Sequence, residues 1–386
     1  VPDLHLVTTR AQLSEVLTLL STAPRIALDC ESNGMHAWRG RLCLLQLAAV
    51  PRESPAAQVW VIDPFALGSL DPLLSLLSAD GPVKIVHDVG FDARLLQAAG
   101  IPLGNVVDTS VMARFLGYRE TGLGALLARH FGITLDKSLQ RHDWARRPLG
   151  PRELAYLAGD VIDLGRLADA LEAEVAALEI ADEVAEETKY VLHRALTNDT
   201  DTAWWRIKGV RALTPVERAV VRALWHARDR LAERRDVPPG TILPNGALVQ
   251  IARIQPTTAD AVRRSGLLGR ASDAEVARCL AEAVLDGLAA GDIPPDEERW
   301  FVTERSSTDR PLRRAREMAL QRWRTEEAAR RGVDPQVVLP GHCLADLAAI
   351  GASSLAELTR IEGLGASRIA RYGEVLLDRL RAATSE

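Results

Sequence analysis

Sliding the chain against itself by 96 positions superimposes its helix breakers, which constrains the C-terminal half to two copies of one small unit. Pro215 falls on Pro311, Leu243-Pro244 on Leu339-Pro340, and Leu268-Gly269 on Leu364-Gly365. Between these points Arg218 meets Arg314, Leu224 meets Leu320, and Arg234-Arg235 meets Arg330-Arg331. Ala, Leu and Arg coincide easily in a sequence this rich in them; prolines and glycines in one ungapped register do not. From Trp204 onward the chain reads as helix with short Pro/Gly interruptions. Two all-α domains are predicted, at 205–290 and 311–386, joined by a linker over 291–310 that opens with G-D-I-P-P-D-E-E-R.

The first 200 residues follow a different rule. Short apolar runs, R-I-A-L-D-C-E, L-C-L-L-Q-L-A-A-V and V-W-V-I-D-P, are spaced as two hairpins, with a turn at Pro51 to Pro55. A helix over about 69–79, a strand at Val83 to Val86, a helix from near Gly90 and a short strand at 106–109 follow. Another helix starts after Gly150-Pro151, with proline in its favoured first turn. The pattern is α/β with a mixed sheet. Residues 172–195, rich in Glu and Ala, read as a solvent-facing connecting helix.

Three short blocks of acids stand on these elements. Asp29 and Glu31 are two apart on a strand, so both project to one face. Asp92 lies just inside a helix start, where it also suits the helix dipole. Tyr156 and Asp160 are four apart on a helix and share a face. Taken singly, each block also reads as a solvated strand end, a helix cap or an ordinary i,i+4 pair. Taken together, hard oxygen ligands without a Cys/His cluster point to Mg²⁺ or Mn²⁺ rather than zinc. Two such ions roughly 3.5–4 Å apart activate a water and stabilise the leaving oxygen of a phosphodiester.

The blocks resemble the three motifs of the DEDD superfamily of 3′→5′ exonucleases: D-x-E at Asp29 and Glu31, the central Asp at Asp92, and Y-x-x-x-D at Tyr156 and Asp160. Tyrosine rather than histidine marks the subclass, since position 155 is Ala. More closely, H-D-V-G-F-D, V-D-T (107–109), T-L-D-K-S (134–138) and D-W-A-R-R-P-L (143–149) resemble segments of the ribonuclease D family. The repeated unit resembles HRDC, that family's helical C-terminal module, above all in I-E-G-L-G-A-S-R-I-A-R-Y-G-E (361–374). The first copy lacks the Tyr-Gly, and Asp88 stands where the family usually has a small residue.

The resemblance implies a ribonuclease H-like exonuclease domain over 1–200 followed by two HRDC domains. It implies that Asp29, Glu31, Asp92 and Asp160 hold two divalent metal ions, Mg²⁺ or Mn²⁺, and that Tyr156 positions the attacking water. The implied reaction releases 5′-nucleoside monophosphates from RNA with a free 3′ end, tRNA precursors being the expected substrate. A DNA exonuclease and a catalytically silent RNA-binding scaffold are the competing readings.

The remaining candidates are ambiguous by residue type. His87 suits a phosphate or ribose contact, or a satisfied strand-end imidazole. Lys137 suits a phosphate or bare solvent, as do Arg141, Arg146 and Arg147, and Trp144 reads as core. The Arg-dense run 310–324, with Arg313 and Arg314, suits a phosphate backbone or a salt-bridged surface helix. Gly363 and Gly365 would bring backbone amides to a phosphate, or form a tight turn. Charge is uneven: residues 1–200 carry 18 basic and 26 acidic side chains, and residues 201–386 carry 29 and 26. Four scattered cysteines and the lack of a run near the roughly 18 apolar residues of a membrane span point to a cytoplasmic protein without a membrane partner.

Overall fold

A computed structural model describes residues 3–50, 56, 58–197, 204–270, 273–298, 301 and 309–385. The expected turn at Pro51 to Pro55 and linker residues 299–300 and 302–308 lie outside the described residues. Two compact units form, one from 1–32, 42–197 and 305–386, the other from 33–41 and 198–304.

The first unit is built on a six-stranded mixed sheet. Its strands are β1 (Asp3–Val7), β2 (Arg25–Ser32), β3 (Leu42–Ala49), β4 (Gln58–Ile62), β5 (Val83–Val86) and β6 (Val106–Asp108), in the order β1-β4-β3-β2-β5-β6. β2, β3 and β4 run antiparallel as the expected hairpins, and β5 and β6 continue parallel to β2. β2 and β3 are central because both faces of each are apolar: Ile26, Ala27, Leu28, Leu44, Leu45 and Leu47 are wholly buried. α1 (Arg10–Leu20) starts from a Thr9/Gln12 capping box. α2 (Pro64–Leu67) follows β4, and the single helix expected over 69–79 is instead a 3₁₀ turn (Asp71–Leu73) containing Pro72 that leads into the short α3 (Leu74–Leu77). Proline removes the N–H that a continuous helix would need there.

The helices that cover the sheet are α4 (Val89–Ala98), α5 (Thr109–Phe115), α6 (Leu123–Phe131), α7 (Pro151–Ile162), α8 (Leu164–Ala177) and α9 (Ala181–Thr197). α7 begins on Pro151 as its sequence directs, and the Glu153 carboxylate accepts from the Gly150 N–H at 3.1 Å.

The second unit holds α10 (Pro215–Arg235), α11 (Pro239–Ile242), α12 (Asn245–Ile254), α13 (Ala259–Arg264), α14 (Ala274–Ala290) and α15 (Pro295–Glu298). Segment 33–41 belongs to it through Trp38, whose indole N–H donates to Asp229 at 2.9 Å and whose backbone N–H donates to Asp236 at 3.2 Å. The other helical copy, α16 (Asp309–Arg331), α17 (Pro335–Val338), α18 (Gly341–Ile350), α19 (Leu355–Leu358) and α20 (Ala366–Ser385), belongs to the first unit. The repeat is structural as well as sequential. Arg228 donates to the Leu243 carbonyl at 2.9 Å, and Arg324, 96 positions later, donates to the Leu339 carbonyl at 3.0 Å.

α9 is not the solvent-facing connector expected from its composition. Glu183 and Glu187 are buried on it. Glu183 faces Arg331 at 3.4 Å and Arg371 at 3.6 Å, and Glu187 meets Arg114 at 3.0 Å. Tyr190 stacks on His342 with 3.8 Å between ring centres. α9 is therefore the surface on which the second helical copy docks.

Candidate active site

The strand that carries Asp29 and Glu31 owes its position to its own apolar residues. Ala27 packs with Ala48, Ala158, Val161 and Ala168 on the face toward α7, which fixes the helix above the strand. α7 in turn presents Tyr156 and Asp160 one turn apart. One carboxylate oxygen from each of Asp29, Glu31 and Asp160 lies within 4.8 Å of the others. These three acids are half-buried, and the strand and helix periods inferred from the sequence account for their meeting.

Asp92 reaches the site from another direction and is not a member of that three-acid group. It sits in the first turn of α4, 1 % exposed, with both carboxylate oxygens buried and only the weakly donating Cys30 thiol close to them. Its charged neighbours include Asp29 and Asp108. α4 opens from Asp88, a non-glycine residue in the left-handed region at φ 70°, whose side chain does not cap the helix. The cap comes instead from Asp108 at the end of β6. Its carboxylate accepts from the N–H groups of Asp88 (3.1 Å), Val89 (2.9 Å), Ser110 (2.8 Å) and Val111 (3.3 Å). One buried acid thus ties the starts of α4 and α5 together and fixes the turn that bears Asp92. Sequence reading gave Asp108 no role, although an Asp immediately before T-S at a strand-to-helix junction is an N-cap signal. Asp108→Ala would leave several donors unpaired; the expected loss is roughly 2–5 kcal/mol in urea unfolding, and a loss under about 1 kcal/mol would remove this role.

Crowding and burial set the electrostatics. Burial, then the Asp29 and Asp160 charges, pushes the Glu31 carboxyl up to about 9. Burial raises Asp160 to about 7. Asp29 is raised well above the carboxylate range by burial and then by Asp160, and Asp92 by burial and then by Asp29. Carboxylates held this way take up protons unless a cation compensates them. The donor set fits a hard divalent ion: three oxygens converge, no thiol or imidazole belongs to the group, and Asp92 adds a buried carboxylate that no strong donor satisfies.

A pH dependence follows. Glu31 and Asp160 have folded values above their unfolded ones, so in chelator their contribution to stability is complete below about pH 4. It is lost as pH rises through about 7 and then about 9. The melting temperature of chelated protein is expected to fall across that interval, and added Mn²⁺ to restore more of it at pH 8 than at pH 6. A flat profile in chelator would contradict this electrostatic picture.

The other candidate residues take varied positions. The His87 Nδ1 lies 2.9 Å from the Thr109 hydroxyl, which itself donates to the Val86 carbonyl at 3.0 Å; burial holds the imidazole below its usual range. Lys137 is exposed. Arg147 is bound on several sides: it grips buried Asp63 at 2.6 and 2.9 Å and donates to the Cys43 carbonyl at 3.0 Å. Arg146 projects into solvent with Asp143 at 3.5 Å. Trp144 is core, 2 % exposed, with its ring 5.6 Å from that of Tyr156. Arg313 pairs along its own helix with Glu317 at 2.8 Å, while Arg314 is exposed. The Gly363-Leu364-Gly365 turn faces protein: a side chain at Gly363 would strike Tyr190 and His342, and one at Gly365 would strike the Glu186 carboxylate. Glu186 also accepts from the Ser367 N–H at 2.8 Å. The Ser367 amide just after this turn is thus engaged by a carboxylate of α9.

Comparison with known proteins agrees with this architecture. Residues 4–176 match the family model described as 3′-5′ exonuclease, and residues 217–275 and 314–380 match that of the HRDC domain. The chain is 30% identical over 299 residues to Ribonuclease D of Jannaschia sp., covering 76% of each chain. It is 29% identical over 306 residues to Ribonuclease D of Haemophilus influenzae, covering 77% of this chain and 75% of that one. The crystal structure of Escherichia coli RNase D, described as an exoribonuclease involved in structured RNA processing, superimposes with a TM-score of 0.75 at 22% identity, covering 98% of this chain and 99% of that one.

Proposed function

Because this chain belongs to the ribonuclease D family and is a 3′→5′ exoribonuclease, we propose that Asp29, Glu31, Asp92 and Asp160 are its metal ligands and Tyr156 its water-positioning residue. The observation that carries this assignment is the convergence of Asp29, Glu31 and Asp160 within 4.8 Å, beneath a helix that also presents Tyr156. Two divalent ions, Mg²⁺ or Mn²⁺, would acidify the attacking water and neutralise charge on the leaving oxygen when bound. Tyr156 acts as a phenol throughout. Burial, then the Asp160 and Glu31 charges, pushes it above its ordinary range, so it cannot serve as a base near neutral pH. It can donate or accept one hydrogen bond and so orient the water.

Residues 1–200 form the nuclease domain in this reading, 205–290 and 311–386 the two HRDC domains, and 291–310 the linker. The substrate is RNA with a free 3′ end. We take tRNA precursors as the structured RNAs trimmed, with support from the Escherichia coli relative's description as acting in structured RNA processing. Exposed Arg314 and Lys137 are candidate phosphate contacts. His87, held by Thr109 and the Thr121 backbone, stays a candidate substrate contact only if it exchanges one of these partners, and Arg313 one that must first leave Glu317. Gly363 and Gly365 are retained only as a site that would open if Glu186 withdrew. The four cysteines are free, which suits a reducing cytoplasm, and no described helix is long and apolar enough to cross a membrane.

The test is a panel of matched RNA and DNA 3′ overhangs, with metal omitted and then restored. Shortening of the RNA from its 3′ end, only with metal, is expected. Preference for DNA, or turnover in chelator, would contradict the reading.

A further inference from the structure

The side chain of Gln46 sits in the middle of β3 with 0 % exposure, and neither its amide nitrogen nor its oxygen has a hydrogen-bond partner. Buried polar groups are rarely left unpaired, because each forfeits the hydrogen bonds it made to water. An apolar residue would suit this strand better: its neighbours Leu44, Leu45, Leu47 and Ala48 are all wholly buried.

Register fixes the sheet face on which the side chain lies. Gln46 is directly opposite Asp29 in the antiparallel β2–β3 pair, and Val61 is its counterpart on β4. Residues directly opposite share a sheet face, with Cβ atoms about 4.5–5.5 Å apart. This face lies under α7, as the packing of Ala48 with Ala158 and of Leu44 with Leu157 shows. Gln46 therefore shares the sheet face of Asp29 as its directly opposite neighbour, and among the described residues no side chain donates a hydrogen bond to the Asp29 carboxylate.

We propose that Gln46 is a positioning residue for the metal site, its amide N–H holding the Asp29 carboxylate in the orientation that grips a cation. The proposal rests on the assignment of Asp29 as a ligand. It gives the unpartnered amide a reason: the partner is a charged carboxylate that is in place when an ion is held. Outer hydrogen-bond partners of metal ligands alter affinity or activity by about 10- to 100-fold when removed. The carboxamide has two N–H groups, so it can serve Asp29 and a water at once.

Gln46→Leu and Gln46→Met, the second unbranched to avoid a misfit, test this in the full chain. Three readouts are needed: melting temperature in chelator, Mn²⁺ affinity by calorimetry, and kcat and KM on an RNA 3′ overhang. Both variants are expected to melt at or above the parent temperature, since an unsatisfied amide has been replaced by an apolar group. Mn²⁺ affinity and kcat are each expected to fall about 10- to 100-fold, with KM for RNA unchanged. Parental affinity and kcat in both variants would overturn the proposal, as would a lowered melting temperature in both. Asp29→Asn is the control. If it binds Mn²⁺ like the parent, the ligand assignment itself fails; if it loses binding while both Gln46 variants keep it, only the role of Gln46 fails.

Discussion

Asp160→Ala is expected to lower hydrolysis of an RNA 3′ end at least about a thousandfold, and Asp29→Ala to do the same. Each removes one of the oxygens that converge within 4.8 Å. Both variants should nevertheless fold. In chelator the acids are held above the usual carboxylate range, Asp160 by burial and Glu31 by burial and then by the Asp29 and Asp160 charges. Removing one relieves that strain, so at pH 8 the metal-free variant should melt no lower than the metal-free parent. With Mn²⁺ present the order should reverse, because only the parent gains binding energy. Inactivity with reversed stabilities is the signature of a lost ligand. A variant that is inactive because it is unfolded would instead be less stable under both conditions.

Arg368→Ala is expected to destabilise the first unit by roughly 3–5 kcal/mol. Arg368 is wholly buried where the second helical copy meets α9. It donates to the carbonyls of Val337 (2.9 Å), Leu364 (3.3 Å) and Glu183 (3.3 Å), and to the Glu186 carboxylate at 3.3 Å. Its loss leaves acids of α9 short of a buried countercharge and three carbonyls short of a donor. Arg371→Ala is the comparison, since that side chain is 44% exposed and meets Glu183 at 3.6 Å; its cost should stay under about 1 kcal/mol. Urea unfolding of the full chain measures both, and equal costs would contradict the docking described. The same contacts mean that deleting 311–386 strips α9 of its partners. RNA binding by this copy is therefore better tested by exposed substitutions such as Arg314→Ala.

The acids were legible because their spacing matched the period of the element beneath them. Asp29 and Glu31 share a strand face, Tyr156 and Asp160 share a helix face, and Pro151 marks where that helix begins. The paired helical copies were legible because prolines and glycines recur in register. What escaped depends on distant partners. α9 is polar by composition, yet Glu183 is buried by arginines about 150–190 positions later, and composition carries no trace of them. Asp108 and Gln46 were missed for a related reason: one caps a helix from another strand, and the other is defined by cross-strand register. β1 escaped because D-L-H-L-V is short, lies at the sheet edge and alternates only partly. The Trp38 segment shows no periodicity at all, and only its contacts with Asp229 and Asp236 reveal its place.

The central claim is that four scattered carboxylates act together as a cation site. Calorimetric titration of Mn²⁺ into the full chain at pH 8 tests it most directly. Binding of two ions per chain, with proton release, is expected in the parent and is expected to be lost in Asp160→Ala. A parent that binds no Mn²⁺, or an Asp160→Ala variant that binds it as the parent does, would contradict the account.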